Sequence, residues 1–192
     1  MSYKYKGDYE KNIVFEADIT SKEQVTQYLS VLYESDRAFE ELIQYFQKKD
    51  EKTIILMFGE HQPVLGSAFY NYMYGHEESY EGWSEQEIRM RYQVPYIIWK
   101  NYETSSEKSA LENRYPVLSS NYLSLMLLEE AGLPLNNWYE FLKEVYNEYP
   151  VVSCSGIQNK EGQWLEDEKT TIEESPELLK YNQLQYYRMF DE

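Results

Sequence analysis

The sequence predicts an α/β fold, a mixed or parallel sheet flanked by helices, and three observations carry that prediction. Residues 54–58 (Ile-Ile-Leu-Met-Phe) form an unbroken apolar run. A run this short reads as a strand buried on both faces, the kind found inside a parallel sheet. A long amphipathic helical pattern leads into it across a short charged turn, as in the αβ half of a doubly wound layer. A second apolar run, 94–99, follows a helical segment, and two strands joined by a helical crossover imply parallel pairing.

Composition narrows the class. A chain of 192 residues suits one domain with a sizeable core. Its single cysteine, Cys154, excludes an intrachain disulfide and a cysteine-based zinc site. A net charge of −16 argues against nucleic acid and against docking on an anionic membrane surface. No apolar run approaches the roughly 20 residues of a membrane span, and the opening Met-Ser-Tyr-Lys does not resemble a signal peptide. Tyrosine is abundant, 21 residues against seven phenylalanines, which favours half-buried rings whose hydroxyls find partners.

Taken in order, residues 1–12 form a polar, tyrosine-rich lead-in, and 13–15 a short strand or extended edge. Ser21 and Gln24 have the form of a capping box. Val25, Tyr28, Leu29, Leu32, Phe39, Leu42, Ile43 and Phe46 then make one apolar face over about seven turns. Asp36 falls inside that stripe, and a carboxylate there must be paired, supporting the loop around Glu60 or bonding Arg37 or a backbone amide. Residues 64–82, punctuated by Gly66, Gly75 and Gly82, read as irregular. Residues 84–93 have helical character, with Glu85 and Glu87 early and Arg89 and Arg91 late. A polar loop, 101–114, separates them and the second strand from the rest.

Ser119 or Ser120 is placed to cap a helix bearing Tyr122, Leu123, Met126, Leu127 and Ala131, which Gly132 and Pro134 stop. Asn136 or Asn137 caps the next, with Trp138, Phe141, Leu142, Val145 and Tyr149 on one face. Residues 151–157 and 163–165 suggest a hairpin around 159–162, and the acidic residues of 166–174 a solvated segment. Ser175-Pro176 opens a last helix over 177–190.

The residues that carry chemistry sit at the end of the first strand. Gly59 lets the chain turn there, and Glu60 and His61 follow as oxygen and nitrogen donors suited to a divalent cation. In an open α/β sheet the carboxyl end of a strand is where ligands bind. A surface loop with two ordinary polar residues is the commoner account of an adjacent Glu-His pair taken on spacing alone. His76, the other histidine, lies in Gly75-His-Glu-Glu as an exposed loop residue or a further ligand or substrate contact.

Several segments in fixed order resemble the later part of the sulfatase domain of lipoteichoic acid synthase-like proteins, in the alkaline phosphatase superfamily. They are Gln27-Tyr-Leu-Ser, Glu34-Ser-Asp-Arg-Ala-Phe-Glu-Glu-Leu-Ile, Met57-Phe-Gly-Glu-His-Gln-Pro, Val94-Pro-Tyr-Ile-Ile-Trp, Ser120-Asn-Tyr-Leu-Ser-Leu-Met-Leu-Leu-Glu-Glu-Ala-Gly-Leu-Pro and Tyr181-Asn-Gln-Leu-Gln-Tyr-Tyr. The resemblance runs from about residue 10 onward.

It implies an alkaline-phosphatase-like α/β fold and metal-dependent chemistry on phosphate or sulfate esters, either phosphoglycerol transfer or ester hydrolysis. In the family pattern a Gly-Asp-His motif ends the strand and its last two residues bind the metal; the matching residues are Glu60 and His61. The cation it implies is manganese first, with zinc, magnesium or calcium as alternatives. Glutamate in place of aspartate moves the donor oxygens outward by roughly 1.5 Å.

The family's nucleophile and another ligating carboxylate lie well before this motif, and nothing among the 59 residues preceding Glu60 has their context. The resemblance therefore implies that residues 1–192 are one domain's C-terminal portion, with no catalytic nucleophile and no turnover alone. The implied partners are the remainder of a parent polypeptide, membrane-anchored with its sulfatase domain outside, and a phosphate- or sulfate-ester substrate. A second copy pairing through an exposed sheet edge is a further partner. The alternative is a non-catalytic binding or interaction module with a decayed metal site.

Overall fold

The computed structural model describes residues 12–103, 117–165 and 168–190. The expected lead-in and most of the polar loop at 101–114 lie outside these residues. The chain forms two compact units. The first comprises residues 1–53 and 57–97, the second residues 54–56 and 98–192.

In the first unit a 26-residue helix, α1 (Lys22–Gln47), buries Val25, Thr26 and Ser30, all in its first turns. Phe15 and Ile19 from the preceding extended segment join Val25, Tyr28, Leu29, Leu65, Phe69, Tyr70, Tyr74 and Trp83 in a small aromatic core. The expected capping box is not formed. Ser21 makes no side-chain cap, its Oγ is buried without a partner, and Gln24 reaches instead to the Val64 carbonyl at 2.9 Å. Later in the helix Leu32 is 48% exposed, Leu42 and Tyr45 are exposed, and so is Asp36. Periodicity identified an apolar face correctly, but nothing among the described residues buries Asp36 on it.

The stretch read as irregular contains a helix, α2 (Gly66–Tyr74). Gly75, at φ 78°, is its left-handed C-cap, so one of the glycines taken as loop punctuation is a helix stop. The next helix, α3 (Glu85–Met90), has the capping box that Ser21 lacks: Ser84 and Glu87 exchange side-chain and backbone hydrogen bonds.

Strands β1 (Ile54–Phe58) and β2 (Tyr96–Lys100) are hydrogen-bonded neighbours in a two-stranded sheet. The parallel pairing expected for them gives way to an antiparallel one. The Gly59 N–H, just past the end of β1, donates to the Pro95 carbonyl, just before β2, at 3.0 Å. Glycine is required at 59 by close approach: a Cβ there would lie 2.9 Å from Cβ of Val94. At the end of β1, Met57 and Phe58 are 39% and 53% exposed, so the run expected to be buried on both faces is uncovered at this end.

The second unit is built on helices. A single 3₁₀ turn (Ser120–Tyr122) leads into α4 (Leu123–Ala131), and α5 (Asn137–Glu148) follows. As expected, Gly132 ends α4 in the left-handed conformation, and Asn136 caps α5, its Oδ1 accepting from the N–H groups of Trp138 and Tyr139. Ser119 does not cap; its Oγ accepts from the Val152 N–H at 2.7 Å.

An antiparallel sheet then forms from β3 (Val151–Ser153), β4 (Gly156–Gln158) and β5 (Trp164–Leu165), with Val152 opposite Ile157 and Ile157 opposite Leu165. The expected turn at 159–162 is present, and an extra turn at Cys154 and Ser155 divides the first strand in two. Residues expected to be a solvated acidic segment include a helix, α6 (Glu168–Glu174), and α7 (Pro176–Phe190) closes the chain. Tyr122, Leu125, Met126, Phe141, Leu142, Val145, Tyr146, Ile157, Leu178 and Tyr181 form one buried cluster, drawn from helices and sheet alike. Glu130 on α4 is 3% exposed and pairs with Lys100 at 3.1 Å.

Two core phenols tie stability to alkaline pH. Burial pushes the Tyr122 hydroxyl far above the usual tyrosine range, and its proton is donated to the Tyr149 carbonyl. Burial also raises Tyr181, less so because Asn121 and Gln185 donate to its oxygen. In the unfolded chain these phenols ionise near pH 10, about the ordinary value, while in the folded chain they keep their protons to higher pH. Stability from this source is therefore complete below about pH 10 and falls as pH rises beyond it. Urea titrations at increasing pH are expected to show that fall, and Tyr122→Phe should make it shallower.

Candidate functional site

Glu60 and His61 occupy two consecutive bends immediately after β1 and Gly59, and both are exposed. The His61 ring is oriented by its own backbone neighbour: Nδ1 lies 2.9 Å from the Gln62 carbonyl. A carbonyl only accepts, so Nδ1 is the donor, and in the neutral ring the lone pair lies on Nε2. Histidine ligands to metals characteristically donate their second nitrogen to a carbonyl or carboxylate in this way.

The next two carbonyls are also taken by side chains. The Tyr70 hydroxyl, on α2, donates to the Pro63 carbonyl, and Gln24 Nε2, on α1, donates to that of Val64. Gln62 reaches across to the Gln93 carbonyl ahead of β2. Tyr70 is itself buried, with the Arg91 guanidinium 3.3 Å from its ring centroid and Nη1 of that arginine buried without a hydrogen-bond partner. These contacts were not legible in the sequence. Gln62, adjacent to His61, was the sole local signal.

The second histidine is committed elsewhere. His76 Nε2 lies 2.6 Å from a Glu87 carboxylate oxygen, and its ring stacks on Tyr80 at 4.0 Å. The Ser84 backbone N–H and hydroxyl, and to a smaller extent His76, hold the Glu87 carboxyl below the usual glutamate range, against the opposing effect of desolvation. Below this pair sits Asn71, fully buried, which donates to the carbonyls of Glu78 and Tyr80 and accepts from Trp83 Nε1 at 2.6 Å. His76 thus fixes the 76–87 segment and is not brought to Glu60 or His61 by any contact described here.

A carboxylate oxygen and an imidazole nitrogen with its tautomer set are donors that fit manganese or zinc. Among the described residues no group of three or more histidine, cysteine, aspartate or glutamate side chains is arranged to hold a metal ion. The donor set is therefore chemically suited and numerically partial. No helix among the described residues is long and apolar enough to cross a membrane.

Residues 2–133 match the Sulfatase family. Over 198 aligned positions covering 96% of the chain, the sequence is 26% identical to a protein of Rhizobium meliloti (strain 1021) named for cyclic beta-1,2-glucan modification. The chain spans 29% of that relative's length. No solved structure matches the chain.

Proposed function

Because the chain belongs to the sulfatase family, we propose that it forms part of a metal-dependent enzyme acting on sulfate or phosphate esters, with Glu60 and His61 as two ligands of a divalent cation. The observation that carries this reading is the His61 tautomer: the Gln62 carbonyl holds the proton on Nδ1 and leaves Nε2 as a ligand. Glu60 supplies an anionic oxygen on the adjacent residue. When bound, such a cation stabilises charge on the group being transferred. The chain's own part is to present two donors at a strand end and to hold the imidazole in one orientation.

Within the family we assign the chain to the lipoteichoic acid synthase-like branch, with phosphoglycerol transfer or sulfate-ester hydrolysis as the reaction of the whole enzyme. A relative named for cyclic beta-1,2-glucan modification accords with an enzyme that acts on a saccharide. The remaining ligands and the nucleophile belong, on this reading, to a nucleophile-bearing portion of the same domain. The uncovered Met57 and Phe58 and the exposed apolar face of α1 are the surfaces it would cover. The parent protein would be membrane-anchored with this domain outside.

A second reading, a non-catalytic module with a decayed site, draws on the partial donor set and on glutamate at the position where the family pattern has aspartate. Titration of the chain with Mn²⁺, followed by calorimetry or by the loss of the free-ion paramagnetic signal, separates the two. Weak binding that falls by about tenfold or more in His61→Ala supports the metal site. No binding, or binding that His61→Ala leaves unchanged, overturns it. No ester turnover is expected from the chain alone.

A further inference from the structure

We propose that Gln24 and Tyr70, helped by Gln62, are positioning residues that lock the segment after β1 and thereby fix the His61 imidazole; this rests on reading His61 as a metal ligand. Residues 59–65 belong to no helix or strand, so their carbonyls have no ladder to satisfy them. Yet three carbonyls in succession are taken by side chains. His61 takes that of Gln62, Tyr70 that of Pro63, and Gln24 that of Val64. The Gln62 side chain, anchored on the Gln93 carbonyl, ties the same turn to the residues ahead of β2.

The order of these bonds matters. The Gln62 carbonyl that sets the His61 tautomer is immediately followed by the two carbonyls that α1 and α2 hold. Rotation of the Gln62–Pro63 or Pro63–Val64 peptide would turn an anchored carbonyl away from its donor. The peptide that orients the imidazole is thus gripped from its C-terminal side, while Gly59, bonded to Pro95, grips the turn from its N-terminal side. Tyr70 is fit for this role because it cannot drift: its ring is buried in the aromatic core and lies against the Arg91 guanidinium. A ligand held by neighbours that are themselves fixed loses little freedom on binding, which is how supporting residues raise affinity.

The double variant Tyr70→Phe, Gln24→Met removes two donors and keeps the ring, the arginine contact and the helical propensity. Two readouts distinguish positioning from packing: the His61 ring tautomer, from its ¹⁵N shifts, and the Mn²⁺ dissociation constant. Expected are a shift from the Nδ1–H form toward a mixture of tautomers and a three- to tenfold weaker Mn²⁺ complex, with a melting temperature close to that of the wild type. An unchanged tautomer and dissociation constant in a chain that binds Mn²⁺ overturns the positioning role alone, even if the melting temperature drops. A wild-type chain that binds no Mn²⁺ overturns the ligand reading instead, and the positioning role goes with it.

Discussion

Replacing Asn71 with leucine is expected to destabilise the first unit by about 3 kcal/mol or more, one of the two largest effects of any single change considered. Leucine matches the side chain's size but none of its polarity. The carbonyls of Glu78 and Tyr80 would lose their donor, and Trp83 Nε1 its acceptor, around a side chain that is itself fully buried. Each group left without its partner away from water costs about 1–3 kcal/mol, so three part-buried ones together exceed what a buried methyl group can return. Urea unfolding followed by circular dichroism reports the loss in every variant, those lacking Trp83 included. Trp83→Phe should cost less in the Asn71→Leu background than in the wild type, because the shared hydrogen bond is already gone. A loss below about 1 kcal/mol would mean that water replaces the amide and that the segment is less closed than described.

In the second unit the corresponding change is Lys100→Met, expected to cost about 3–5 kcal/mol. Glu130 is 3% exposed, and Lys100 Nζ meets both its carboxylate, at 3.1 Å, and its backbone carbonyl, at 3.2 Å. Removing the cation leaves the carboxylate buried beside a methionine, with this attraction gone and the desolvation retained. Changing both residues, Lys100→Met with Glu130→Met, should recover most of the loss, since a well-packed apolar pair can match a buried ion pair. Melting curves of the two single variants and the double variant decide the matter. A double variant as unstable as Lys100→Met alone would show that the pair's value is not electrostatic.

Much of the second unit was legible in the sequence because its signals are local. The Asn136 cap, the Gly132 stop and the Ser175-Pro176 start each act within a turn of where they stand. The first unit was less legible for the opposite reason. Its second helix is lined by tyrosines whose pattern resembles a loop until the arginine and tryptophan that cover them are brought up by the fold. The Ser21-Gln24 signature failed because Gln24 finds a carbonyl 40 residues away. Strand direction was misjudged because the connection was taken as a crossover, and only the Gly59–Pro95 bond reveals the return.

The candidate site divides along the same line. Glu60 and His61 stand next to each other and after a recognisable strand, so the pair was visible. The side chains that hold the turn after it come from α1 and α2, and the Gln62 side chain reaches the residue before β2, none of this predictable from the pair itself. Periodicity likewise names the apolar face of α1 but not what covers it.

One missing carbon atom sets the gauge of that site. At residue 59 even alanine would have to push the Val94 side chain aside or shift the turn that carries the carboxylate and the imidazole. How far those donors project from the sheet is therefore decided one residue before them, by an atom that is not there.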